Sequence, residues 1–210
     1  VLIDGAQGAA HWKLNLSELD VDFYVASAHK LCGPTGVGFL YGKSDLLNSL
    51  PPYQGGGEMI SNVTFDKTEY ADLPHKFEAG TPNIAGVIAF GAALDYMNSI
   101  GFENIDAHEK ILLDYATANL KTIDNIKIYG DVDEKISVIS FNVANHHPSD
   151  IGSILDQFGI AVRTGQHCTQ PIMDHFNIPG TVRASFSFYN TTSEIDLFID
   201  AVKKAAKMLG

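Results

Sequence analysis

Hydrophobic residues fall along this chain in two textures. Up to about residue 100 they come as short runs ended by glycine-rich turns: "VLI" before "DGAQG", "FYVAS" before "AHK", and "VGFLYG" before a polar loop. Runs this short, rich in Val, Ile, Phe and Tyr, read as strands buried on both faces of a mainly parallel sheet. "LSELDVD" between the first two reads as a brief helical crossover. From Leu50 to about Leu73 no period is clear, which predicts an extended loop. Pro82 and Asn83 then open a helix, "IAGVIAFGAALDYMNSIG", which stops at Gly101 and reads as buried.

Beyond residue 100 the texture changes. Ile105, Leu112, Ala116, Leu120 and Ile123 recur at helical spacing. "IKIYG", "VISFNV", "IAVRTG" and "VRASFSFYN" read as strands, separated by helical "PSDIGSILDQFG" and "PIMDHFN". In the last strand Val182, Ala184, Phe186 and Phe188 face one side, and Arg183, Ser185, Ser187 and Tyr189 the other. That alternation suits a sheet with one packed and one polar face. The final helix has a capping-box pair, Thr191 and Glu194, and an apolar stripe through Ile195, Phe198, Ile199, Val202, Ala206 and Leu209. The pattern therefore predicts an α/β region over 1–100 and a small α+β domain over 101–210.

Composition narrows the class of protein. The chain has 210 residues, 45% of them hydrophobic and 19% charged, which is ordinary for a globular protein. A formal net charge of −11 argues against a nucleic-acid footprint, which needs clustered Lys and Arg. No apolar run reaches the length of a membrane span, and no signal peptide is visible. The two cysteines, Cys32 and Cys168, make no disulfide framework, and this usage predicts a cytoplasmic setting. Their spacing from the histidines, including the loop doublet His146 and His147, gives no metal signature. Neither "GPTGVG" nor "QGGGEM" has the spacing of a phosphate-binding or dinucleotide fingerprint.

Candidate chemistry lies at two strand ends. Ligands of open parallel sheets bind beyond the carboxyl ends of the strands. Asp4 and Gln7 follow one strand, and Ser27, His29 and Lys30 the next. A carboxylate and a lysine there could form a salt bridge at a sheet rim. They could instead serve pyridoxal phosphate, whose aldehyde needs an amine and whose ring nitrogen needs an acid to stay protonated. Ser27 and His29 could then donate to phosphate oxygens.

"DGAQ", "SAHKLCGPTGVGFLYG", "GGGEMI", "FEAGTPN" and "RTGQHC" follow one another in the order and spacing of a known group. The chain resembles the SufS-like cysteine desulfurases, members of the class V aminotransferase family with the fold type I architecture, over essentially its whole length. The resemblance implies that Lys30 carries the cofactor as a Schiff base, Asp4 pairs with the pyridine nitrogen, and Gln7 bonds the phenolic oxygen. It implies that Ser27 and His29 hold the phosphate, with Thr81 contributed across a homodimer. Arg183 would grip the substrate carboxylate, with Arg163 assisting. Cys168 would take sulfur from L-cysteine as a persulfide and release L-alanine. His167 or the cofactor would help ionise the thiol. A sulfur-acceptor protein, delivery to iron–sulfur clusters, and L-selenocysteine as a second substrate are further implications. Many members have histidine where this chain has Gln166. Cys32, which the family pattern does not require, is expected to be a packing residue.

Family members also carry an N-terminal portion of similar length, with the first strands of the large domain and the ring that stacks on the cofactor. The expectation is a C-terminal half that, on its own, binds cofactor weakly and turns over cysteine poorly unless a partner supplies the missing half. Two other readings stay open: another class V reaction, such as a kynureninase-like step, and a non-catalytic interaction module.

Overall fold

The computed structural model describes residues 1–210 as two compact units, Val1–Glu103 and Asn104–Gly210. The first opens with β1 (Leu2–Asp4), two short helices, α1 (Gly8–His11) and α2 (Leu16–Leu19), and β2 (Phe23–Ser27). A 3₁₀ turn, Ala28–Lys30, leads to β3 (Gly38–Gly42) and α3 (Ser44–Ser49). The sheet order is β1-β2-β3. β1 and β2 pair in parallel, as their helical crossover allows, whereas β3 runs antiparallel to β2. The link between β2 and β3 holds only a 3₁₀ turn, and a parallel return needs a crossover of a dozen or more residues, usually helical.

The 50–73 region is not an extended loop throughout. β4 (Ile60–Val63) and β5 (Thr68–Tyr70) form an antiparallel hairpin. Its turn is closed by the Thr64 N–H donating to the Lys67 carbonyl at 2.8 Å. Both strands are exposed on both faces, so no hydrophobic alternation marks them in the sequence.

α4 (Ile84–Ile100) begins and ends where Asn83 and Gly101 predict, and the Asn83 side chain accepts the Gly86 N–H. It is not a buried helix. Gly86, Phe90 and Met97 are buried, while Ile84, Val87, Ile88 and Tyr96 are more than half exposed. The buried stripe faces the sheet, where Phe90 stacks on Phe39 and Phe39 on Tyr24. A three-stranded sheet covers one side of this mostly apolar helix and leaves the other exposed.

In the second unit α5 (Phe102–Leu120), β6 (Ile126–Tyr129), β7 (Val138–Val143), α6 (Pro148–Gln157), β8 (Arg163–Gly165), α7 (Gln170–Phe176), β9 (Thr181–Ser185) and α8 (Thr192–Leu209) follow in order. The antiparallel sheet is ordered β6-β7-β9-β8. β9 ends at Ser185, so the alternation read through Tyr189 continues past the strand into a turn closed by the Asn190 N–H on the Ser187 carbonyl. One sheet face carries Ile139, Phe141, Val143, Val182 and Ala184, packed under α5, α6 and α8 in a single core. α6 lies close because Gly152 has no side chain: a Cβ there would stand 2.5 Å from the Thr164 methyl. α8 starts with the full capping box and buries Ile195, Phe198, Ile199 and Val202.

Side-chain removal checks this distribution of burial. Phe141→Ala, at a fully buried site, is expected to cost about 3–5 kcal/mol in urea unfolding. Ile88→Ala, at a site 70% exposed, is expected to stay within about 0.5 kcal/mol of the parent.

Candidate active site

In the first unit, the pairing of β1 with β2 sets one group of candidate residues. Asp4 stands opposite Val25, so Asp4 and the residues after Val25 reach the same carboxyl edge of the parallel pair. Asp4 holds its carboxylate there by accepting the Ala6 N–H at 3.0 Å. Gln7 follows at the N-cap position of α1, exposed and with no capping bond of its own. Tyr24, one position before Val25, feels both its burial and the Asp4 charge, which push its phenol above the ordinary value.

Beyond Ser27 the chain folds into a tight turn around Ala28. The Leu31 and Gly33 N–H groups both donate to the Ala28 carbonyl at 2.8 Å, and the Ala28 N–H donates to Val37. With Ala28 fully buried as the pivot, His29 and Lys30 turn outward, and both are exposed. Lys30 has no hydrogen bond or ion pair within the chain. Ser27 is half-buried at the strand end. A cavity of about 580 Å³ beside Asp4 runs instead along α1 and α2, lined by Ile3, Gly8, Trp12, Leu14 and Tyr24, and does not include Lys30. Thr81 lies in the exposed segment just before α4, after Gly80, whose N–H donates to the Gly57 carbonyl.

Cys32 is exposed, which corrects its reading as a packing residue. The backbone at Cys32 is left-handed, with φ 59°, in the turn that follows Lys30. Desolvation of its sulfur pushes the thiol up, away from the ionised form a nucleophile needs.

In the second unit, a separate cluster lies on the polar face of the four-stranded sheet. Arg163 and Arg183 are cross-strand partners on β8 and β9, and neither is paired with a carboxylate. Two guanidiniums side by side repel one another, and burial, with Arg163 second, pushes Arg183 down. The Arg183 Nε is buried and has no acceptor. An anion between the two would supply one. Arg163 also donates to the Cys168 sulfur at 3.7 Å.

The loop carrying Cys168 turns sharply after β8. Gly165 has φ 109°, and His167 and Cys168 are both left-handed, at 55° and 63°. The loop closes with the Thr169 N–H and hydroxyl donating to the Gln166 carbonyl at 2.9 and 2.7 Å. Cys168 is left exposed, while the His167 ring is turned inward onto Thr181. Among the described residues no group of His, Cys, Asp and Glu could hold a metal ion, and no single helix is long and apolar enough to cross a membrane.

Thr181 and Asn142, both buried beside this cluster, were not among the residues expected to matter. Thr181 shares the face of Arg183 because it lies two positions earlier on the same strand, and that spacing is the signal in the sequence that could have found it. Asn142 carries no such signal, because its strand reads as apolar.

The class-V aminotransferase family model matches residues 1–198. The chain belongs to that family. It is 48% identical to a cysteine desulfurase of Serratia proteamaculans (strain 568), over 100% of this chain and 52% of the relative. Among solved structures it resembles the cysteine desulfurase CsdA (S-sulfonic acid) from Escherichia coli, with a TM-score of 0.94 and 41% identity, covering 99% of this chain and 51% of that one. It also resembles the apo cysteine desulfurase from Thermococcus onnurineus NA1, with a TM-score of 0.95 and 37% identity, covering 99% and 52%. The chain spans about half the length of the relatives it matches. Within this class-V member the expected α/β-then-α+β architecture is the one observed.

His167 gives a pH test. Burial first, then the charges of Arg183 and Arg163, hold its imidazole below the ordinary histidine value, against the opposing pull of the Thr181 carbonyl. The unfolded chain therefore takes up this proton at a higher pH, near about 6.5, than the folded chain does. Stability from this group is present above that pH and is lost as pH falls through it. Urea unfolding of the wild type should weaken from pH 7.5 to 5.5 more than that of His167→Gln; equal slopes would contradict the assignment.

Proposed function

We propose that the protein is a pyridoxal phosphate-dependent cysteine desulfurase, which takes sulfur from L-cysteine as a persulfide on Cys168 and releases L-alanine. The observation that carries this reading is the Cys168 thiol in contact with one of two unpaired arginines that face each other across strands. Other class V chemistry, such as a kynureninase-like step, needs no thiol there.

The donor set at the β1/β2 edge fits the cofactor. An amine, a carboxylate, a hydroxyl and an imidazole, all at one strand edge, match an aldehyde, a pyridine nitrogen and a phosphate. When bound, the cofactor serves as an electron sink for the substrate's Cα, which loosens the bond from Cβ to sulfur. Lys30 holds it through its amine and, once released, takes the Cα proton at Nζ. Asp4 keeps the ring nitrogen protonated, and Gln7 donates to the phenolic oxygen. Ser27 and His29 hold the phosphate, joined by Thr81 across a homodimer interface.

Arg183 binds the substrate carboxylate through its planar fork, with Arg163 beside it. Arg163 also faces the sulfur of Cys168, so positive charge stands where the thiolate forms. The thiolate attacks the substrate sulfur; the new S–S bond forms as the substrate's Cβ–S bond breaks, Cβ takes a proton, and Lys30 Nζ returns a proton to Cα, giving alanine. The persulfide then passes to a sulfur-acceptor protein, for iron–sulfur cluster assembly or other sulfur delivery. L-selenocysteine is a second substrate of the same pocket, and two free thiols suit a reducing cytoplasm.

With cofactor, L-cysteine and a thiol reductant, alanine formation in Cys168→Ser should fall at least about 100-fold while cofactor absorbance is kept. Undiminished alanine from that variant would overturn the reading.

A further inference from the structure

The Cys168 loop rests on buried polar groups that none of the roles above uses. His167 Nε2 lies 3.1 Å from the Thr181 carbonyl oxygen and 2.9 Å from its Oγ1. A carbonyl oxygen only accepts, so Nε2 carries the ring proton. Nδ1 is then a bare acceptor, and it is buried with no partner. Protonating it would bury an unpaired N–H beside two guanidiniums, on β8 and on β9, which costs the desolvation of that group and charge repulsion besides.

Thr181 is itself 1% exposed and fixed from behind. Asn142, 8% exposed, donates through Nδ2 to the Gly180 carbonyl at 3.0 Å. Gly180 in turn lies against Gly165, where a Cβ would come within 2.7 Å of the Gly165 carbonyl. The path from Asn142 through Gly180 and Thr181 to His167 thus ends one residue from Cys168. It meets the loop at both its start, Gly165, and its left-handed crest.

We infer that Asn142, Thr181 and His167 form a positioning strut beneath Cys168, in which His167 is a neutral imidazole protonated at Nε2. In this arrangement His167 is not the proton acceptor for the Cys168 thiol: its N–H is spent on Thr181 and its lone pair is enclosed. The group that meets the sulfur is Arg163. The strut's contribution to sulfur transfer rests on the cysteine desulfurase reading; the ring's protonation does not.

The test is nitrogen-15 NMR of the histidine rings, with His167 assigned by loss of its signals in His167→Gln. At about pH 6, below the ordinary histidine value of about 6.5, the wild-type ring should show the neutral form with its proton on Nε2. In Thr181→Val a methyl replaces the hydroxyl 2.9 Å from Nε2, inside van der Waals contact, so the ring is expelled and titrates as an ordinary histidine. Thr181→Ser, which keeps the oxygen, should restore the wild-type signals. A wild-type ring that is cationic at that pH, or protonated on Nδ1, overturns the inference whether or not the variants fold. So does an unchanged ring in a folded Thr181→Val.

In the cofactor-loaded enzyme Thr181→Val should lower kcat about 10-fold with KM for cysteine within about 2-fold, and Thr181→Ser should recover it. A ring that behaves as expected in a cofactor-loaded protein that makes no alanine leaves the strut standing and removes the desulfurase reading. A Thr181→Val enzyme with unchanged kcat, despite an expelled ring, removes the strut's role in catalysis.

Discussion

The parallel pairing of β1 with β2 is the constraint on which the candidate residues of the first unit depend. Side chains along a strand alternate, so a slip of one residue would carry Asp4 to the opposite face of the sheet. What pins the register is apolar contact on that opposite face, where Tyr24, Ala26, Phe39 and Phe90 pack together. The face carrying Asp4, Val25 and Ser27 is correspondingly open, and Leu2 and Leu40 on it are more than half exposed. Burial on one side thus fixes the chemistry presented at the strand ends of the other. The turn around Ala28 leaves His29 and Lys30 exposed just past the end of β2.

The second unit uses the same alternation for a different end. Its packed face collects branched and aromatic side chains under three helices, and its polar face collects Arg163, Arg183, Thr181 and Asn142. Placing two arginines opposite one another without an acid, and enclosing the Nε of one, is unfavourable for an empty fold. The arrangement leaves one patch of positive charge open to an anion.

Much of this was legible in the sequence, for physical reasons. Chemistry-bearing residues at strand ends are visible because glycine-rich turns and short β-branched runs mark where strands stop, as at "DGAQ" and "SAHK". The helix bounds at Asn83, Gly101 and Thr191 were readable because caps are local. What failed depended on covering surfaces and on pairing rather than pattern. α4 has apolar residues all round, and only a partner surface decides which of them are buried. The exposed hairpin of β4 and β5 has no buried face to imprint a period. The direction of β3 follows from connection length, and the exposure of Cys32 from a left-handed turn, neither of which hydrophobicity records. The Asn142 and Thr181 contacts need the folded sheet, since 38 residues separate Asn142 from Gly180.

The family membership and the two clusters converge on one reading, with Lys30 as the residue that holds the cofactor. Incubation with pyridoxal phosphate, reduction with borohydride and mapping of the modified peptide test this most directly. The account predicts that the fixed group sits on Lys30, and that Asp4→Ala weakens its attachment. A label spread over the surface lysines, or concentrated on another one, would contradict it.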